Sequence, residues 1–295
     1  MTTAITVEGL VKDYGSFRAL DGIDLAVERG EVFGFIGPNG AGKSTTIRIL
    51  LDLLRPTAGD VRVLGEDPAT GGPALRARLG YLPGELILSG TATGRQLLTH
   101  HAAVRGGRGR DRIAPLAERF LLDLDRPVRA LSKGNKQKIG VVQALMHRPD
   151  LALLDEPTSG LDPLLQQEFL ALVREERDAG TTVFLSSHVL SEIEGVADRV
   201  ALIRDGRIVV VDDVAALRAA AGQRLDVTFS GDVPLQALEG VEELQVDGLH
   251  ARGIWRGDTT RLIATLHGLP IARLELRDRD LEELVLDAYR TEGTA

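Results

Sequence analysis

The run Gly37-Pro38-Asn39-Gly40-Ala41-Gly42-Lys43-Ser44-Thr45 constrains this chain more than any other feature. It follows the apolar segment Val32-Phe33-Gly34-Phe35-Ile36 and precedes Thr46-Ile47-Arg48-Ile49-Leu50-Leu51. Strand, glycine loop and helix form the context that a phosphate-binding P-loop requires. Glycines let backbone N–H groups turn inward around phosphate oxygens, and the helix N-terminus adds positive partial charge. In that frame Lys43 reaches the β- and γ-phosphates, and the Ser44 hydroxyl is placed to coordinate Mg²⁺. The alternative is a glycine turn that happens to precede a helix. The full spacing and the flanking strand favour a nucleoside triphosphate.

The 295 residues have room for one large domain and a small one. With 43% hydrophobic and 26% charged residues, the chain can bury a core. A net charge of −8 argues against a general nucleic-acid binder, which needs a basic face. The lack of cysteine excludes disulfides, thiolate zinc sites and cysteine nucleophiles. No stretch approaches the roughly 20 uninterrupted apolar residues that cross a bilayer. Met1-Thr2-Thr3-Ala4-Ile5 lacks the basic and apolar regions of a signal peptide. The expected location is the cytosol, or the cytosolic side of a membrane through a partner.

Short strands are expected at Ile5-Thr6-Val7, Phe17 to Leu20 and Asp24 to Val27, broken by Gly15, Gly22 and Gly30. They read as an antiparallel layer ahead of the P-loop strand. Val61 to Leu64 and Leu79 to Leu82 read as further strands. From about 84 to 148 helical spacing takes over: Leu97, Leu98 and His101 share a face, as do Ile113, Leu116 and Phe120. The charged, glycine-rich run Arg105 to Arg112 reads as a solvated loop, with RNA contact the weaker alternative. Leu151 to Leu154 and Thr182 to Leu185 are continuous apolar runs suited to central parallel strands. Between them, Pro163 to Ala179 reads as a crossover helix with Leu165, Phe169, Leu172 and Val173 inward, closed by Gly180. The fold class is α/β.

Beyond Asp213 the pattern changes. Ala215 to Ala221 is an alanine-rich helical linker, followed by elements in the order βαββαβ and a final helix, Leu281 to Tyr289. That order predicts a small α+β domain of ferredoxin-like type over 221–295, with the larger domain over 1–220.

Asp155 and Glu156 end the apolar run Leu151-Ala152-Leu153-Leu154. Asp155 at the strand tip is placed to hold Mg²⁺, and Glu156 to polarise an attacking water. Taken alone, the pair could be an acidic turn closed by Pro157. Leu131-Ser132-Lys133-Gly134-Asn135-Lys136-Gln137 opens a helix burying Ile139, Val142 and Leu145, with Ser132 a natural N-cap. His100 and His101 are adjacent, point apart on a helix and make no metal pair. Trp255 reads as an anchor of the small domain. Arg273, Arg277 and Arg279, alternating with Glu275, Asp278 and Asp280, read as a solvated face.

Over about residues 4 to 212 the chain resembles the nucleotide-binding subunit of an ABC transporter. Gly37 to Ser44 match Walker A, Leu151 to Asp155 Walker B, and Leu131 to Asn135 the signature. Ser159-Gly160-Leu161-Asp162 matches the D-loop, His188 the switch histidine, and Tyr14 the aromatic that stacks on adenine. The resemblance implies a P-loop NTPase fold: a RecA-like core, an antiparallel β subdomain and a helical subdomain. It also implies ATP and Mg²⁺ as ligands and a head-to-tail dimer. There Ser132, Lys133, Gly134 and Asn135 of one copy would cap ATP held by Walker A of the other. Glu156 would act on the lytic water, His188 would contact the γ-phosphate, and Asp162 would link the two sites. The Leu-Ser-Lys-Gly signature and the appended domain are similar to ATPase subunits of the ABC-2 type. These partner exporter permeases for multidrug, antibiotic or lipid substrates.

Two departures stand out. Lys133-Gly134-Asn135 replaces the usual Gly-Gly-Gln, leaving Lys133 either near phosphate or facing solvent. The family's Q-loop glutamine, a Mg²⁺ and water ligand, falls at Gly84, so Glu85 substitutes or water fills the position. A soluble ABC ATPase acting on the ribosome is the alternative, although such chains typically carry two cassettes. A coiled-coil repair ATPase does not fit the 88 residues between Lys43 and Ser132.

Overall fold

The computed structural model describes residues 3–231 and 238–279. Contacts divide the chain into two compact units, Met1–Asp212 and Asp213–Ala295. The division falls eight residues before the position expected from the sequence, and the alanine-rich helix belongs to the second unit.

The first unit opens with β1 (Thr3–Tyr14) and β2 (Phe17–Glu28), a long antiparallel pair. β2 is one strand where two are expected. Gly22 does not end it: the residue takes φ 70° at a register shift, between the pairs Val11–Asp21 and Leu10–Ile23. That is the signature of a β-bulge, which bends a strand without breaking it. β3 (Val32–Ile36) then leads through the glycine loop into α1 (Lys43–Leu50). β4 (Ala58–Val63) returns to pair with β1, giving the sheet order β2-β1-β4. A short helix, α2 (Gly72–Ala77), precedes β5 (Leu79–Leu82).

Three helices separate β5 from β6: α3 (Gly94–Val104), α4 (Ile113–Arg119) and α5 (Lys133–Leu145). Thr93 starts α3 with a capping box: its hydroxyl accepts from Gln96 N (3.2 Å), and Gln96 Oε1 accepts from Thr93 N (3.0 Å). The remaining elements are β6 (Leu151–Asp155), α6 (Pro163–Asp178), β7 (Thr182–Ser187), β8 (Arg199–Arg204) and β9 (Arg207–Asp213). The main sheet has the order β5-β6-β7-β3-β8-β9. Its pairs from β5 to β8 are parallel. Every residue of β3, β6 and β7 is buried, as strands covered on both faces require. Phe33 and Phe35 of β3 pack on Phe184 of β7, with ring centroids 5.9 and 5.3 Å apart.

The second unit contains α7 (Val214–Ala221), β10 (Gln223–Phe229), β11 (Val241–Asp247), β12 (His250–Trp255), α8 (Thr259–Leu266) and β13 (Ile271–Asp278). Its antiparallel sheet has the order β11-β12-β10-β13. The final helix expected at Leu281 to Tyr289 lies outside the described residues, as does most of the first helix of the βαββαβ order, which the sequence places at Leu235 to Leu238. Trp255 is buried in this unit's core, and its indole N–H donates to Asp258 O (3.2 Å).

Candidate active site

The loop between β3 and α1 is built on glycine for steric reasons. A Cβ at Gly37 would lie 2.2 Å from Ile203 O. One at Gly42, where φ is 114°, would lie 2.6 Å from Leu20 Cδ2 and 2.9 Å from Ala19 O. Gly42 is the N-cap of α1 and no side chain caps it, so the first-turn N–H groups are available to an anion. Pro38, Asn39 and Gly40 form the exposed rim, Ala41 is buried, and Ser44 and Thr45 are partly covered. From below, the Asp205-Gly206 turn joining β8 to β9 supports the loop. Gly206 N donates to Ala41 O (3.1 Å), and Asp21 N donates to Gly206 O (2.9 Å).

Lys43 is only 6% exposed, and its ammonium donates to Gly37 O (2.6 Å) and Pro38 O (3.2 Å). The same ammonium lies 3.3 Å from Glu156 Oε1. Glu156 Oε2 is 2.7 Å from His188 Nδ1. One carboxylate therefore joins the P-loop lysine to the histidine after β7. Glu156 takes φ 48°, an unfavourable conformation for a side-chain-bearing residue. Hydrogen bonds hold it there: Glu156 N donates to Ser186 O (3.2 Å) and Ser186 Oγ (3.1 Å), and Gln137 Nε2 donates to Glu156 O and Pro157 O (both 3.2 Å).

Asp155 is buried at the tip of β6, and its Oδ1 accepts from Ser186 Oγ (2.6 Å). Burial, reinforced by the Asp155 charge, pushes the Tyr81 phenol above its ordinary pKa. A Cβ on Gly84 would lie 3.1 Å from Asp155 Oδ2, so a side chain at 84 would press on that carboxylate. Glu85 is exposed. Ser44 and Asp155 offer a hydroxyl and a carboxylate, hard oxygen donors that suit Mg²⁺.

Other expected residues lie apart. Ser132 caps α5, its Oγ accepting from Asn135 N (3.3 Å). Among the described residues, Ser132, Lys133, Gly134 and Asn135 make no hydrogen bond to Lys43, Glu156 or His188. Gly134 packs against the D-loop segment, where a Cβ would lie 2.5 Å from Gly160 O. Asp162 caps α6 through Leu165 N (3.1 Å). Tyr14 is 46% exposed beneath the Lys12 ammonium (5.2 Å to the ring centroid), opposite Phe17 at the hairpin tip. Ser186 and Gln137 are additions that the sequence reading lacks. Both are common residue types brought in from distant elements, and no local spacing marks them.

The family profile described as ABC transporter matches residues 20–159. The chain is 42% identical over 235 residues to the daunorubicin resistance ATP-binding protein DrrA3 of Streptomyces coeruleorubidus, covering 77% of this chain and 74% of that protein. It is 36% identical over 211 residues to the bacitracin transport ATP-binding protein BcrA of Bacillus licheniformis, covering 70% and 69%. A solved ATP-binding subunit of an ABC transporter superposes with a TM-score of 0.69 at 31% identity, covering 74% of this chain and 93% of that one. With the glycine loop, the carboxylate pair and His188 in one site, this chain belongs to the ABC transporter family as an ATP-binding, ATP-hydrolysing subunit.

Proposed function

We propose that this protein hydrolyses ATP to drive export of a drug-like or antibiotic-like molecule through a separate membrane permease of ABC-2 type. The observation that carries the hydrolytic part is the placement of Glu156 between Lys43 (3.3 Å) and His188 (2.7 Å). The β- and γ-phosphates sit in the glycine loop, against Lys43 and the first-turn N–H groups of α1. Ser44 and Asp155 would hold Mg²⁺, which neutralises phosphate charge. Glu156 takes a proton from water as the water oxygen bonds to the γ-phosphorus and the bond from that phosphorus to the β–γ bridging oxygen breaks, giving ADP and phosphate. His188 contacts the γ-phosphate. Tyr14 stacks on adenine.

Ser132 and Gly134 of a second copy cap the nucleotide, and Asp162 lies between the two sites. Glu85, one residue beyond Gly84, would complete the Mg²⁺ surroundings, or water would fill the position. The names of the relatives support export, since one confers drug resistance and another transports bacitracin. Among the described residues no helix is long and apolar enough to cross a membrane. As an ATP-binding subunit of this family, the protein works at the cytoplasmic face of the membrane, beside its permease. A permease helix would meet the loop after β5, where Ile87 is 77% exposed. Leu86 instead faces Gly140 of α5. We assign the second unit to the ferredoxin-like class on its strand order, with a regulatory or dimerising role.

Glu156→Gln tests this reading. The variant keeps ATP binding while turnover falls at least about a hundredfold, the contribution of a positioned base. Near-normal turnover would remove Glu156 from the mechanism.

A further inference from the structure

Half of the His188 side chain is exposed (49%), so packing alone does not hold its ring against Glu156. Its position depends on the turn after β7. That turn is tied to the Glu156 segment by a side chain that the proposed mechanism leaves unused. Glu192 ends the single 3-10 turn Leu190–Glu192. Its Oε2 accepts from Thr158 Oγ1 (2.7 Å) and from Ser187 Oγ (3.2 Å). Thr158 lies two residues beyond Glu156, and Ser187 immediately precedes His188. Both hydroxyl residues are buried, at 2% and 0% exposure. Ser187 Oγ also accepts from Val189 N (3.0 Å), so the same hydroxyl is fixed to the backbone on the far side of His188.

The ends of β6 and β7 are thus stitched twice. Ser186 binds Asp155 Oδ1 and Glu156 N, while Glu192 binds the residues that flank Glu156 and His188. An ionised acceptor suits this place, because hydrogen bonds to a carboxylate are about twice as strong as neutral ones. Without it, the buried Thr158 hydroxyl loses its partner. The Ser187 hydroxyl, whose proton Glu192 shares with Val189 O (3.0 Å), is left to its own turn and no longer tied to the Glu156 segment.

We propose that Glu192 is a positioning residue for ATP hydrolysis, clamping Thr158 to Ser187 and so holding His188 at Glu156. The proposal rests on Glu156 and His188 acting together on ATP. The hydrogen bonds of Glu192 go to Thr158 and Ser187, next to the two reacting side chains and not to them. Its effect passes through His188.

The test uses the full chain and measures turnover, KM and ATP affinity. Glu192→Ala lowers kcat about tenfold, a loss in the range that small displacements of reacting groups produce, with ATP affinity and KM within twofold of wild type. In a His188→Ala background the same substitution costs nothing more. Glu192→Gln, which keeps an acceptor oxygen, recovers most of the loss. Thr158→Val and Ser187→Ala each remove one arm of the clamp and give intermediate losses, which keeps the test open should Glu192→Ala fold poorly. Equal losses in the wild-type and His188→Ala backgrounds, or a parallel fall in ATP affinity and thermal stability, would show a packing role and overturn the clamp. So would wild-type kcat in Glu192→Ala while Glu156→Gln is inactive. If Glu156→Gln itself turns over normally, the base assignment fails, and the clamp fails with it.

Discussion

A Cβ at position 134 would lie 2.5 Å from the Gly160 carbonyl oxygen, inside the limit that side chains respect. Glycine is therefore required within this chain, before any second copy approaches. Gly134→Ala must push the D-loop segment away from the start of α5, and overpacking of this kind costs about 1–3 kcal/mol. The expected outcome is a lower urea midpoint, with ATP affinity at Lys43 unchanged and turnover reduced. Unchanged stability would mean that the two segments separate freely. Residues of this kind are legible in part. Lys43, Asp155 and Glu156 could be found because each sits at a strand end or in a short spaced motif, and His188 through the family resemblance; the structure brings Lys43, Glu156 and His188 together. Gln137, Ser186 and Glu192 could not. Each reaches a partner 19 to 34 residues away through an ordinary hydrogen bond, which leaves no local pattern.

At the scale of elements, the long apolar runs announced β3, β6 and β7, and the period of Leu165, Phe169, Leu172 and Val173 announced α6. The β8–β9 hairpin escaped notice, although Asp205-Gly206 is a two-residue turn with φ of 48° and 76°, as a type I′ turn needs. Ion pairing between elements was equally invisible. Arg112 precedes α4, and its guanidinium binds Glu176 of α6, whose side chain is 4% exposed, while also donating to Leu145 O (2.9 Å). Removing one member of a buried pair leaves the other charge uncompensated, at a cost of about 3–5 kcal/mol. Glu176→Gln should therefore destabilise the protein by about 3 kcal/mol in urea unfolding. Replacing both Arg112 and Glu176 by Leu should cost less than the single change, since no charge is left stranded. A Glu176→Gln effect no larger than that of an exposed glutamate would show that the pair does not join these elements.

For the whole molecule the question is whether the two units fold independently. One apolar cluster of the first unit runs from Ala4 to Ile203, with Ile208 packed against it, and among the described residues none of its members lies beyond Asp212. The core of the second is made of Leu225, Val227, Phe229, Leu238, Ala251, Trp255, Leu262 and Leu266. Among the described residues, each of these two clusters draws its members from one unit, and every residue of the glycine loop, the carboxylate pair and the turn after β7 belongs to the first. A chain ending at Asp213, where β9 ends, keeps the hairpin whose Gly206 supports Ala41, so the P-loop retains its hydrogen bond from below. This truncated protein should fold, bind ATP as tightly as the full chain, and unfold at a similar urea concentration. The second unit spans only Asp213–Ala295, and domains of its size bury little more than they need to stay folded, so it should be the less stable of the two. Calorimetry with ATP on the soluble truncation decides the matter. Loss of binding in a folded 1–213 fragment would show that the nucleotide site depends on the second unit, and the contact-based division would then not be a functional one.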